Sequence, residues 1–160
     1  PLYFFRIVSD MPNINSPTIS NIPPASNIVE DASIVVPTSF PYFSAAFIAD
    51  THEPIGRAYN HVIKTGNTIY VSGQVPLDKH GNVVGEGDIV AQAEQVFKNL
   101  QSALAAAGAS FEDVVKSNTY LTRKGDLSKL REVRSRYFTG EPPASTLVFV
   151  SGLAMEEFLK

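Results

Sequence analysis

The stretch that decides the fold runs from Gly87 to Ser110 and reads "GDIVAQAEQVFKNLQSALAAAGAS". Its apolar residues Ile89, Ala93, Val96, Phe97, Leu100 and Leu104 recur at three- and four-residue intervals, which puts them on one stripe of an α-helix. Gln92, Glu94, Gln95, Lys98, Asn99 and Gln101 lie mostly off that stripe. Asp88 stands where a side chain can cap the first turn, and Gly108 suits the left-handed position just past the last. Such a helix is built to cover a sheet with one face.

The flanking sequence supplies the sheet. Upstream, "YNHVIKTGNTIYVSGQV" contains two β-rich runs separated by Thr65-Gly66-Asn67, a hairpin signal. Gly73 closes the second run, and "LDKHGNVVGEG" follows as a turn-rich excursion. Downstream, "DVVKSNTYLT" predicts a third strand over Val114 to Thr122. "DLSKLREVRSRYF" predicts a second helix, capped by Asp126, with Leu127, Leu130, Val133, Tyr137 and Phe138 as its stripe. Pro142-Pro143 cannot continue it. "STLVFVSGL" is then a strand with apolar residues on both faces, which predicts burial on both sides. Hairpin, helix, strand, helix, strand is an α+β order: a mixed sheet with two helices packed on one face.

Residues 1–53 have another character. They are rich in Pro, Ser, Asn and Ile, and prolines at 12, 17, 23, 24, 37 and 41 interrupt helices and most strands. The expectation is an irregular or disordered N-terminal extension, followed by one folded domain over residues 54–160. A proline-rich docking segment is the functional alternative, but no clear P-x-x-P spacing supports it. The opening "PLYFFRIVSDMP" carries an apolar patch without the basic region of a signal peptide. The chain starts on Pro1, as a fragment or processed product would.

Composition narrows the chemistry. A chain of 160 residues is one domain by default. The formal charge of −3 gives no general case for nucleic acid. With no cysteine, thiolate catalysis, disulfides and cysteine zinc sites are excluded, and a reducing compartment suits the chain. His52, His61 and His80 lack metal-ligand spacing. No apolar run approaches the ~20 residues of a membrane span.

Several motifs read best as structure. "GNVVGEGD" has no Lys-Ser/Thr after its glycines and is not a phosphate loop. "VSGQV" and "VSGL" lack the spacing of a nucleophile elbow, so Ser72 and Ser151 are strand-end residues. Between Arg123 and Arg136, six cations face two anions, a local charge of +4. That run could meet RNA phosphates, but it fits the solvated face of an amphipathic helix better. Glu156 and Glu157 are the last carboxylates, and nothing near them in the sequence marks a cleft.

The run "GNTIYVSGQVPLD", the helix "GDIVAQAEQVFKNL", "DVVKSNTYLT" and the terminal "PPAST" together resemble the YjgF/RidA family over residues 54–160. That resemblance implies a chorismate-mutase-like α+β fold and a homotrimer whose sheets pack into a central barrel, with ligand clefts between subunits. It implies a cytoplasmic protein acting on a small-molecule substrate or ligand, with no membrane or nucleic-acid partner and no cofactor or metal. The best-known members hydrolyse reactive enamines and imines such as 2-aminoacrylate to ammonia and a 2-keto acid.

In those members a Pro-Ala-Arg-Ser run supplies an arginine that holds the substrate carboxylate. Here Ser145 stands at that place, and one hydroxyl does not replace a charged fork. The family's cleft tyrosine maps onto Tyr59 with a one-residue slip, or the ungapped position is Ala58. Gly73 matches a cleft-floor glycine, with a backbone bend as its structural alternative, and Tyr120 matches an aromatic near the ligand, with core packing as its alternative. The family's last strand, with the glutamate that orients water, has no counterpart before Lys160, so no catalytic residue is assigned. Three functions follow: a deaminase acting on something other than a simple 2-imino carboxylate, a non-catalytic metabolite-binding module, and an RNA-cleaving relative.

Overall fold

The computed structural model of the chain describes residues 2–8, 34–35, 45–47 and 59–159. Seven strands make one sheet: β1 (Leu2–Val8), β2 (Ile34–Val35), β3 (Ala45–Phe47), β4 (Val62–Thr65), β5 (Thr68–Gln74), β6 (Val114–Leu121) and β7 (Ala144–Phe149). Their spatial order is β2-β3-β4-β5-β1-β6-β7. Every neighbouring pair is antiparallel except β6 and β7, which run parallel and are joined through the second helix. The sheet is therefore mixed, as the element order predicts.

The two helices are α1 (Ile89–Ala106) and α2 (Leu127–Tyr137). All six residues of the α1 stripe are buried, with Val62, Ile69 and Val71 of the hairpin and Leu121 of β6 in the same core. Leu130 and Val133 bring α2 into it. The Asp88 carboxylate accepts from Val90 N at 2.9 Å and from Ala91 N at 3.4 Å. At the other end Ala109 N donates to Leu104 O and Gly108 N to Ala105 O, with Gly108 at φ +75°, so two orphan carbonyls are satisfied. Gly66-Asn67 turns the β4–β5 hairpin, with Thr65 paired to Thr68.

Three expectations are corrected. Part of the segment expected to be irregular forms strands, and β1 lies between β5 and β6, antiparallel to both. Prolines recur through that region, but the run "LYFFRIV" contains none and is rich in aromatic and β-branched residues. Second, β7 is an edge strand among the described residues, and even the face expected to pack on the helices is only partly covered within the single chain. Only Leu147 of its six residues is even partly covered, and Val148 and Phe149 are exposed. Third, Asp126 precedes α2 without capping it. Its carboxylate is held by Arg123 Nε at 2.6 Å.

Two polar side chains of α1 are buried where the sequence pattern placed them off the core stripe. Asn99 Nδ2 donates to Val75 O and Leu77 O, both at 2.9 Å. Gln92 Nε2 donates to Glu157 O at 3.2 Å. These amides tie the excursion after β5, and the short helical turn Glu156–Leu159, onto the helix. Phe158 is fully buried there beside Val75 and Leu77. Within the excursion, Asp78 accepts from Asn82 N and His80 N, both at 2.9 Å. The bond from Asn82 is the largest influence holding its carboxyl below the usual range.

Candidate functional site

Ser145 and Thr146 point to opposite faces of the sheet. On β6, Ser117, Thr119 and Leu121 are buried and alternate with the partly covered Lys116, Asn118 and Tyr120. Ser145 is registered against Ser117, and Thr146 against Asn118. Ser117 Oγ donates to Ser145 Oγ at 3.3 Å on the face that carries the helices. On the other face, Lys116 Nζ donates to Thr146 Oγ1 at 2.7 Å. Of the two residues, only Ser145 shares a face with α2.

Behind Ser117 stands Arg134 of α2. Its Nη2 lies 3.5 Å from Ser117 Oγ, and its guanidinium carbon sits 4.6 Å from the centre of the Phe138 ring. Its Nε is buried with no hydrogen-bond partner among the described residues. The sequence pattern placed Arg134 in a solvated basic run. The run divides instead. Arg123 pairs with Asp126, while Arg136 bridges Glu94 at 2.6 Å and Glu132 at 2.8 Å. The bond to Glu132 is the first cause of the rise in the Arg136 pKa above its ordinary value. Lys124, Lys129 and Arg131 remain exposed.

The other expected residues lie elsewhere. Gly73 is inside β5, at a bulge: Tyr3 faces Gln74 and Phe5 faces Val71, so Ser72 and Gly73 together oppose one residue of β1. Tyr59, just before β4, sets its ring edge-on to His61 with centroids 5.6 Å apart. His61 is buried, with Nδ1 3.2 Å from Gln74 Nε2, and Gln74 Oε1 is a buried acceptor without a partner among the described residues. Ala58, the alternative to Tyr59, lies outside the described residues. Tyr120 is registered against Val148, on the face opposite Ser145.

The single chain thus holds two separated groups. Tyr59, His61, Gly73 and Gln74 sit at the β4–β5 ladder, whereas Ser145 lies at the β7 edge, with β1 and β6 between. Tyr120 shares β6 with Ser117 but not its face. A hollow of about 430 Å³ between α1 and the end of α2 is lined by Leu104, Phe111, Glu112, Tyr137 and Thr139, among others, and by none of the expected residues. Sequence reasoning missed His61 and Gln74 as neighbours of Tyr59, and Arg134 as a neighbour of Ser117. Each contact depends on strand register or helix placement. Among the described residues no three His, Asp or Glu side chains cluster as metal ligands, and no helix is long and apolar enough to cross a membrane.

The family model described as Endoribonuclease L-PSP matches residues 50–159. Protein DfrA of Myxococcus xanthus is 46% identical over 91 residues, which cover 57% of this chain and 70% of that protein. The 2-iminobutanoate/2-iminopropanoate deaminase of Mus musculus is 37% identical over 95 residues, covering 59% and 70%. Among solved structures, RidA from the Antarctic bacterium Psychrobacter sp. PAMC 21119 superposes with a TM-score of 0.62 at 37% identity, covering 66% of this chain and 84% of that one. With the mixed sheet, its two covering helices and the matched motifs, these likenesses identify the chain as a member of the YjgF/RidA family.

Proposed function

We propose that this protein binds small imine, enamine or carbonyl compounds in clefts formed between copies of itself, as a homotrimer of the cytoplasm, and hydrolyses their C=N bonds. The observation that carries the reading is the separation of the expected site residues. Ser145 lies on one edge of the sheet, while Gly73 on β5 is three strand positions away and Tyr59 stands just before β4, the strand beyond β5. A complete site needs the β7 edge of one copy to meet the β4–β5 region of another. The exposed Tyr70, Val115, Val148 and Phe149 supply apolar surface for such a meeting.

In the reaction, water adds to the imine carbon, the C–N bond breaks, and ammonia leaves as the carbonyl product forms. No side chain is assigned as the acid or base. Glu156 and Glu157 are exposed in the turn that docks Phe158 against Val75 and Leu77. Two of the relatives are named 2-iminobutanoate/2-iminopropanoate deaminase, which supports the reaction class. Ser145, at the place of the family's carboxylate-holding arginine, sets this chain's substrate preference apart from a simple 2-imino acid.

The test is ammonia release from imines generated in situ by an amino-acid oxidase, comparing carboxylated with carboxylate-free substrates. Acceleration of either set supports the enzyme reading. Saturable binding without turnover leaves a metabolite-binding module. The RNA-cleaving reading draws on the basic run, in which Arg123 and Arg136 are engaged by carboxylates and Arg134 lies against Phe138. Salt-dependent RNA binding lost on reversing Arg131 would restore it.

A further inference from the structure

We propose that the hollow between the end of α1 and the end of α2 binds a small quaternary ammonium compound, at a place apart from Tyr59, Gly73 and Ser145. The inference does not depend on the proposed reaction or on contact between copies.

Two hollows, of about 430 and 230 Å³, share Phe111, Glu112, Tyr137 and Thr139 as walls. The larger falls within the range of about 300–1,000 Å³ that small-ligand sites occupy. Phe111 and Tyr137 are only partly covered, and their rings stand 5.5 Å apart with planes inclined at 58°, an angled pair and not a stack. The cluster already holds one cation against a ring, since the Arg134 guanidinium sits 4.6 Å from the centre of Phe138. That ring is taken, so Phe111 and Tyr137 are the two left to meet a ligand.

The charge around these rings is negative. Glu112 lines both hollows and Glu141 the smaller, and no Lys, Arg or His lines either. Both carboxylates are exposed, and neither forms an ion pair among the described residues. Leu104 and Ala105 bring the C-terminal end of α1 to the larger hollow, and no basic residue in its last turn offsets the helix dipole. Arg134 and Arg136 are near, but Glu94, Glu112, Glu132 and Glu141 outnumber them.

The polar groups beside the rings are engaged within the fold. Ser110 Oγ accepts from Glu112 N and donates to Asp113 Oδ2. The Tyr137 hydroxyl donates to Glu94 Oε2, and Leu104 O and Ala105 O accept from Ala109 N and Gly108 N. What remains for a ligand is chiefly ring surface and negative charge. That combination suits a cation carrying methyl groups in place of N–H donors. A bare metal ion would find too few ligands, because no third His, Asp or Glu joins the two carboxylates among the described residues.

The experiment titrates the full chain with choline, with its neutral isostere 3,3-dimethyl-1-butanol, and with ethanolamine, which lacks the methyl groups. Binding is followed by NMR of the aromatic ring protons. The wild type is expected to bind choline about tenfold more tightly than either of the others, with the shifts at Phe111 and Tyr137, and to bind it less well as salt rises. Phe111→Leu keeps an apolar side chain without the ring and should bring choline down to the level of the isostere. Glu112→Gln combined with Glu141→Gln, both at exposed positions that do not threaten the core, should weaken choline severalfold and leave the isostere unchanged.

No saturable choline binding, or equal binding of choline and its isostere, overturns the site. Ethanolamine binding as tightly as choline overturns the quaternary preference on which the proposal stands. Choline shifts confined to Tyr59 or Tyr120 would place the ligand elsewhere and overturn it as well. If Phe111→Leu fails to fold, the double carboxamide variant decides, and unchanged choline affinity in that protein overturns the proposal.

Discussion

Ser117 and Ser145 occupy matched positions on the parallel β6–β7 pair, and their hydroxyl oxygens lie 3.3 Å apart on the face that carries α2. Ser145→Arg would put a guanidinium at that edge, where the family's carboxylate-holding arginine falls. The expected result is a gain of at least about tenfold in kcat/KM on 2-imino acids generated by an amino-acid oxidase, with carboxylate-free imines unaffected. An unchanged ratio between the two substrate sets would show that the identity of residue 145 does not set this protein's preference.

Asn99 is buried in α1 and donates through one amide nitrogen to both Val75 O and Leu77 O. Asn99→Leu keeps the branched shape but takes one of two donors from each carbonyl, Val75 O retaining Leu77 N and Leu77 O retaining Gln95 Nε2, and it removes the buried acceptor that Gln95 Nε2 meets at 2.8 Å. The expected loss is about 2 kcal/mol, read as a lower urea midpoint at unchanged slope. A change in slope would mean that the loop after β5 had come away from α1 in the native state.

The hairpin, both helices and the α1 caps were legible because their signals are local: a turn dipeptide, a helical period, an aspartate one residue before the first turn. What was not legible is decided at long range. "LYFFRIV" pairs with segments sixty or more positions on in the chain, and its proline-rich surroundings obscured its β character. Asn99 and Gln92 were placed off the core stripe because their acceptors, loop carbonyls, leave no periodic trace. Asp126 had cap chemistry, but Arg123 Nε at 2.6 Å claims its carboxylate. Ser145 was picked out by its place in the family's motif, whereas Arg134 was hidden in a basic run from which its packing on Phe138 and its bond to Ser117 separate it.

Gly85 and Gly81 both have positive φ, at +67° and +82°, yet their surroundings differ. A Cβ on Gly81 meets nothing within 4 Å. One on Gly85 overlaps the Ala91 side chain and comes within 3.2 Å of Gln92 N, in the first turn of α1. Gly81→Ala should therefore cost about 1 kcal/mol, from backbone strain alone. Gly85→Ala should cost about 2 kcal/mol more, because the backbone of α1 has to yield. Thermal melting of the two variants side by side checks the difference, and equal melting temperatures would rule out the proposed clash.

Val148 is 40% exposed on β7, on the face away from α1 and α2. If three copies bury this face in one another, Val148→Asp places a charge in that contact and should shift the protein from trimer to monomer in sedimentation at micromolar concentration. Binding of small carbonyl compounds should fall with it, since the site needs two copies. A wild type that sediments as a monomer would remove the basis for clefts between subunits.

Tyr137 donates its hydroxyl to Glu94 Oε2 at 2.7 Å, next to the Arg136–Glu94 pair. Burial is the first cause raising its pKa from 10.0 to about 12, and the bond to the Glu94 carboxylate adds to the rise. The folded state therefore holds this proton more tightly than the unfolded state, whose tyrosine titrates near its ordinary value of about 10. The stability that comes from this difference is fully present below pH 10. It is lost progressively as pH rises towards about 12, because unfolding then releases the proton. Tyr137→Phe removes the titration but retains the ring's stacking on Phe97, whose centroid lies 4.8 Å away. The wild type should be the more stable of the two at pH 8, and its advantage should shrink between pH 10 and 12. Urea midpoints of both proteins across that range isolate the contribution, since every other titrating group is common to them. A difference that stays constant from pH 8 to 12 would mean that the hydroxyl ionises with the same ease in the folded and unfolded chains.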